Sequence, residues 1–290
     1  MFCHAIPRSA PAVDLSKSTG NLKYDDGNGH TLPYRLFLPV GYNPNAEYPL
    51  VLFLHGAGER GNDNSGQFGG GHMENLYNVT QGNMLSGTFK AILLVPQCPS
   101  DDQWVNWPWG KGAYTNAQQP PESQPMKSTM GIVNKVVADY SSVDTSRIYV
   151  TGLSMGGFGT FDAITRHPET FAAAMPLSGG GNKEQGLLLS HEPIWAYHGD
   201  ADGAVPVSGT DSIRDSIAAA GGLMEYTRLH DVGHGGWGTF YDGTTYKNST
   251  NQTVYPWLFS QTNVVPEPNT LALLGTGLLG LLGYAWRKRK

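Results

Sequence analysis

The chain has 290 residues, of which 39% are hydrophobic and only 15% charged, with a net charge of −5. That length and apolar content can fill one large core, and the acidic balance lacks the basic face that a nucleic-acid surface requires. Two cysteines, Cys3 and Cys98, have neither metal-ligand spacing nor the density of a disulfide framework.

In chain order, residues 1–30 carry no strong period and read as a poorly ordered segment, 31–262 as a single domain, and 263–290 as a separate tail. Strands are expected at Tyr34–Pro39, Pro49–Leu54 and Lys90–Pro96, each rich in aliphatic or aromatic residues. A long excursion follows, marked by Pro108, Pro120, Pro121 and Pro125 and carrying Trp104, Trp107 and Trp109. From Ser128 to Tyr140 the apolar residues Met130, Ile132, Val133, Val136 and Val137 repeat at helical spacing, with Ser128 as the expected N-cap. Arg147–Thr151 is β-branched and aromatic, hence a strand, and Phe158–His167 can form a helix that stops before Pro168. Strands at Phe171–Leu177 and Pro193–His198, a helix at Asp211–Ala220 closed by Gly221 and Gly222, and a strand at Met224–Leu229 complete the series. Strands alternating with helices predict an α/β fold: a mostly parallel sheet with helices on both faces.

Functional residues of such sheets gather at the carboxyl ends of strands. One of these turns reads Gly152-Leu153-Ser154-Met155-Gly156, a G-x-S-x-G stretch between strand and helix. That is the context of a nucleophile elbow, in which a sharp turn exposes a serine hydroxyl. A serine is a weak nucleophile until a base takes its proton, so a histidine must lie beside it in the fold. Nine histidines are present. His234, in the glycine-rich turn after the last strand, is the expected base, with His230 as its rival. His55 and His198 each precede glycine at a strand end and are expected to tie loops together. Asp200 and Asp202 in "HGDADGAVPV" are both placed to orient the base, and spacing does not separate them. The loop "HGAGERG" after the second strand supplies backbone amides near the serine but lacks the Lys-Ser/Thr of a phosphate-binding loop. No metal-ligand spacing or cofactor motif appears, so neither is expected.

These stretches together resemble the α/β-hydrolase superfamily, in its serine esterase and "predicted peptidase" group related to acyl-protein thioesterases and feruloyl-esterase-like enzymes. The resemblance runs from about Tyr34 to about Phe259 and rests on "LHGAGERGNDN", "PQCPSDDQWVNW", "DTSRIYVTGLSMGGFGT", "HGDADGAVPV" and "DVGHGGW". It implies an α/β-hydrolase fold and cleavage of carboxylic esters through an acyl-enzyme, by the chain order Ser154, Asp202, His234. The choice of Asp202 over Asp200 comes from the resemblance, which makes Asp200 a turn residue. So does the second oxyanion amide, Ala57, beside that of Met155; Gly58 is the neighbouring alternative. The tryptophans read either as an aromatic wall for an acyl or sugar group or as anchors of the excursion, with anchoring favoured. Trp104, Trp107 and Trp237 are carried forward as candidate substrate contacts. A prolyl-oligopeptidase-type peptidase and a non-catalytic surface binding protein are the alternative functions.

The tail "VVPEPNTLALLGTGLLGLLGYAWRKRK" joins Pro266-Glu267-Pro268, an apolar run from Leu271 to Trp286 and four consecutive cations. It resembles the PEP-CTERM sorting signal of Gram-negative bacteria. The resemblance implies export to the cell envelope or beyond, an exosortase-type processing enzyme as partner, and transient membrane anchoring with the basic end in the cytoplasm. An exported chain is expected to open on an apolar leader, and residues 1–18 hold no apolar run of seven. The expectation is therefore a true start upstream of Met1, with another export route as the alternative. The other partner implied is a small-molecule or polysaccharide-linked ester, with no nucleic acid.

Overall fold

A computed structural model describes residues 13–263. The described residues form eight strands: β1 (Leu22–Asp25), β2 (Thr31–Phe37), β3 (Tyr48–Leu54), β4 (Ile92–Pro96), β5 (Val143–Leu153), β6 (Ala173–Leu177), β7 (Trp195–Gly199) and β8 (Glu225–Leu229). They form one sheet in the order β1-β2-β4-β3-β5-β6-β7-β8. The pairs from β4 through β8 are parallel, whereas β2 pairs antiparallel with both β1 and β4. The helices are α1 (Gly71–Thr80), α2 (Gln124–Asp139), α3 (Met155–Arg166), α4 (Gly186–Leu189), α5 (Ser208–Ala219), α6 (Trp237–Tyr241) and α7 (Val254–Leu258).

Every residue of β3 from Leu50 to Leu54 is wholly buried, as a strand covered on both faces must be. Side-chain alternation divides it between two cores. Leu50, Leu52 and Leu54 join Ile132 and Val133 of α2 and Phe158 and Phe161 of α3. Val51 and Phe53 face Met73 and Leu76 of α1, Phe240 of α6 and Leu258 of α7. The expected α/β architecture is the one observed.

Three expectations are corrected. Residues 13–30 do not form a poorly ordered segment: Val13 is buried, and β1 pairs with β2 in the register Leu22↔Tyr34 to Asp25↔Thr31. The connection is a tight turn in which Asp26 Oδ1 accepts from the backbone N–H groups of Asn28 and His30, a signal available in "DDGNGH". Helix α2 begins four residues before Ser128. Its cap is Ser123, whose Oγ accepts from Met126 N at 3.2 Å and donates to Trp104 O at 2.7 Å. Pro125 is tolerated because the first turn needs no intrahelical N–H donor. Helix α3 begins at Met155, directly after Ser154, rather than at Phe158, so the glycines of the elbow lie in its first turns. Residues 1–12, with Cys3, and the tail from 264 lie outside the described residues. Among those described, no helix is long and apolar enough to cross a membrane. Cys98 is a buried free thiol, and burial, the largest influence, raises its pKa far from any thiolate chemistry.

Candidate active site

β5 ends abruptly because Ser154 takes φ 55° and ψ −120°, a conformation that costs a non-glycine residue about 1–3 kcal/mol. Its surroundings over-determine it. Ser154 N donates to Leu177 O at 2.9 Å, and Ser154 O accepts from Gly157 N at 2.8 Å. The turn also brings backbone onto backbone: a Cβ at Gly156 would collide with Leu54 O, and one at Gly152 would lie 2.5 Å from the same atom. The flanking glycines are thus a steric requirement of the α3–β3 crossing.

The turn after β7 carries Asp202, and the turn after β8 carries His234. His234 Nε2 lies 2.8 Å from Ser154 Oγ, and its Nδ1 lies 2.7 Å from Asp202 Oδ2. The Asp202 side chain is wholly buried, which by itself opposes its charge. Donors outweigh that burial: His198, the backbone N–H groups of Val205 and Ala204, and His234 hold its pKa below the usual carboxylate range. An ionised Asp202 accepts the His234 Nδ1–H and so fixes the tautomer whose Nε2 is open to the serine proton. Asp200 and His230, the rivals, meet each other instead. Asp200 accepts from Arg228 at 3.0 Å and from Asp231 N at 2.8 Å, with the largely exposed His230 at 3.2 Å. Asp200, His230 and Asp231 also form the cluster of potential metal ligands among the described residues. It lies on the surface, and Asp200 is engaged by Arg228.

Ala57 opens a short 3-10 turn, Ala57–Glu59, and Met155 is the first residue of α3. Amides at such positions have no intrahelical partner and can face an anion. The loop is anchored from below. Cys98 N donates to His55 Nε2 at 2.9 Å, and His55 Nδ1 donates to Gly56 O at 2.7 Å. Burial lowers the His55 pKa to about 4, so the ring stays neutral as that pattern demands. Arg60 donates to Ala57 O and to Asp102 O, tying the loop to the excursion.

A cavity of about 290 Å³ opens over Ser154 and His234, walled by Ala57, Leu153, Val205, Trp109 and Trp237. Of the three candidate substrate contacts, only Trp237 lines it. Its indole donates to Ser178 Oγ at 3.0 Å and stands edge-to-face with His234, ring centres 5.0 Å apart. Trp104 is corrected to a core residue, wholly buried, with its N–H on His55 O at 3.0 Å. Trp107 is corrected to a loop anchor, donating to Gly112 O and packing on Tyr114. The wall residue is Trp109, beneath the Arg60 guanidinium. The pattern Pro108-Trp109-Gly110 offered no cue separating it from its two neighbours.

A strand-elbow-helix serine, an aspartate and histidine on successive strand ends and this sheet order define an α/β-hydrolase. Residues 28–220 match the family described as "Putative esterase", and the chain belongs to that family. Residues 264–290 match the PEP-CTERM protein-sorting motif. Among similar proteins, a poly(3-hydroxyalkanoate) depolymerase C of Paucimonas lemoignei is 32% identical over 149 residues, 50% of this chain and 31% of that protein. A "Probable feruloyl esterase C" of Aspergillus flavus is 29% identical over 198 residues, 66% of this chain and 63% of that one. A solved thermostable esterase superposes with a TM-score of 0.73 at 33% identity, covering 86% of this chain and 64% of its own. The chain therefore spans less than two thirds of each of these relatives.

Proposed function

We propose that the protein is a carboxylic ester hydrolase acting through Ser154, His234 and Asp202. The observation that carries this reading is the unbroken hydrogen-bonded line from Ser154 Oγ through both nitrogens of His234 to Asp202 Oδ2, at the floor of a cavity. His234 Nε2 takes the hydroxyl proton as Oγ attacks the ester carbonyl carbon. The amides of Ala57 and Met155 receive the oxyanion, each donor contributing about 3 kcal/mol. Asp202 stabilises the imidazolium. Collapse expels the alcohol, which takes the proton back from His234, and leaves an acyl-enzyme. Water then repeats the sequence and releases the acid.

The apolar cavity between Trp109 and Trp237 favours an ester with an apolar or aryl acyl group. The named activities of the relatives, a polyester depolymerase and a feruloyl esterase, support an ester carried on a polymer or polysaccharide. The sorting-motif match supports export to the cell envelope, with an exosortase-type enzyme as processing partner and the apolar run Leu271–Trp286 as a transient anchor. The test is a fluorophosphonate probe followed by mass spectrometry. Ser154 is expected to be labelled, His234→Ala to abolish labelling, and Ser154→Ala to lower turnover of nitrophenyl esters by at least ~10³-fold. A folded chain that takes no label would overturn the proposal, and faster cleavage of peptide anilides than of esters would replace it with a peptidase.

A further inference from the structure

The end of β7 buries a second histidine whose contacts exceed those of a loop tie. His198 is wholly buried. Its Nε2 lies 3.1 Å from Val205 O and 3.3 Å from Asp202 Oδ2. Both are acceptors, so Nε2 must carry a proton. Its Nδ1 lies 2.8 Å from Thr210 Oγ1, which is also 3.0 Å from Gly179 O. A Thr210 hydroxyl that donates to Nδ1 leaves the neutral Nε2–H tautomer, whereas one that donates to Gly179 O requires a proton on both ring nitrogens for Nε2 to remain a donor.

Asp202 is consequently surrounded by four donors. Oδ1 accepts from Ala204 N at 2.9 Å and Val205 N at 2.8 Å. Oδ2 accepts from His234 Nδ1 at 2.7 Å and faces His198 Nε2. The terminal torsion of a carboxylate is soft, and the second contact to Oδ2, from His198, limits that rotation. It also divides the charge of one oxygen between two imidazoles.

We propose that His198 is a positioning residue for ester hydrolysis: through Nε2–H it aligns Asp202 Oδ2 with His234 Nδ1 and sets how strongly that oxygen favours the His234 imidazolium. The inference rests on the Ser154–His234–Asp202 reading above. A tie between the β7 turn and α5 through Thr210 would use the same atoms but leave the titration of His234 unmoved. The groups facing His234 are Asp202, Ser154 and the Trp237 ring, with His72 beyond that ring, and Glu59 of the Ala57–Glu59 turn lines the same cavity. Those facing His198 are Asp202 and, from α5, Thr210. Arg228, its neighbour across β8, is paired with Asp200 and reaches Asp211 at 3.5 Å.

The experiment is the pH profile of kcat/KM on p-nitrophenyl acetate for the full chain, His198→Phe and His198→Gln. Losing one donor leaves Asp202 Oδ2 a stronger partner for the imidazolium, so His234 keeps its proton to higher pH. His198→Phe is therefore expected to lower kcat about tenfold or more with KM little changed, and to move the acid limb up by ~0.5 pH unit or more. His198→Gln, which keeps an N–H near the Nε2 position, is expected to restore both towards the parent. An acid limb that stays in place or moves down in a folded His198→Phe overturns the proposal, as does an equal loss in both variants. Nitrogen-15 NMR of the unsubstituted chain tests it without substitution: His198 must be protonated at Nε2, and an unprotonated Nε2 overturns it. A parent chain that neither hydrolyses the ester nor takes a fluorophosphonate sinks the esterase reading instead, and the NMR experiment still tests His198.

Discussion

Ser154 and His234 meet across 2.8 Å, yet the regions that hold them are unlike. The elbow is buried on both sides and fixed by its own backbone, with β3, β6 and α3 in van der Waals contact through glycines. The His234 turn lies at the surface and is held by distant partners. Tyr197 donates to Gly235 O at 3.1 Å, Ala201 N donates to Val232 O at 3.0 Å, and Asp202 and Trp237 flank the imidazole. Under the proposed mechanism, the nucleophile is fixed by a few adjacent residues, whereas the base, which would exchange protons with substrate and solvent, sits on a looser turn that tertiary contacts must place.

The largest effect separating the two regions should come from Asp202→Asn. An amide there cannot accept from both imidazoles as the carboxylate does, and kcat on nitrophenyl esters should drop by about 10⁴-fold while the thermal midpoint barely changes. A drop under about tenfold would show that the His234 turn orients its histidine without Asp202. Next, Gly156→Ala should act on folding, because the new methyl group meets Leu54 O, which is backbone and has little room to yield. A loss of about 3 kcal/mol or more in urea unfolding is expected; a loss below about 1 kcal/mol would mean the elbow is no tighter than the histidine turn. Trp237→Leu should remove both the ring against His234 and the wall of the cavity. It is expected to cost about tenfold in kcat/KM with the fold retained, and an unchanged value would leave Asp202 as the main restraint on the imidazole.

The smallest effect concerns a carboxyl with no ring of donors. Burial raises the Glu192 pKa to about 7. The folded state thus binds this proton more tightly than the unfolded chain, so its contribution to stability is present below about pH 4.5 and lost as the pH rises towards 7. Glu192→Gln should therefore stabilise the protein at pH 8 but not at pH 4. Because Glu192 is only partly buried, the gain should be about 1 kcal/mol or less. Equal thermal midpoints at pH 8 would show that burial does not strain this group.

Much of the fold was legible because it follows from local pattern. Continuous apolar runs became buried parallel strands, and the G-x-S-x-G stretch became a strand-turn-helix with a positive-φ serine. The helix start at Ser123 was less accessible. Ser123 and Ser128 are both competent caps, and the choice fell to the one whose hydroxyl could also reach Trp104 O. The hairpin of β1 and β2 was signalled by its turn, but the short strand Leu22–Asp25 gains its support only by pairing with β2.

The sequence by itself determined strands β2 to β8, helices α2, α3 and α5, the elbow with its obligatory glycines, and the family of the chain, because each depends on residues close together along the backbone. Tertiary structure places Asp202 against His234 where spacing left the choice open, since Asp200 and Asp202 share one turn and differ in facing Arg228 or the interior. It also decided which tryptophan walls the cavity. Trp104 and Trp109 lie on one excursion, and the first fits beneath His55 while the second is left at the mouth, under Arg60. Side-chain direction in a turn is set by what the rest of the sheet leaves open, and no local spacing encodes that.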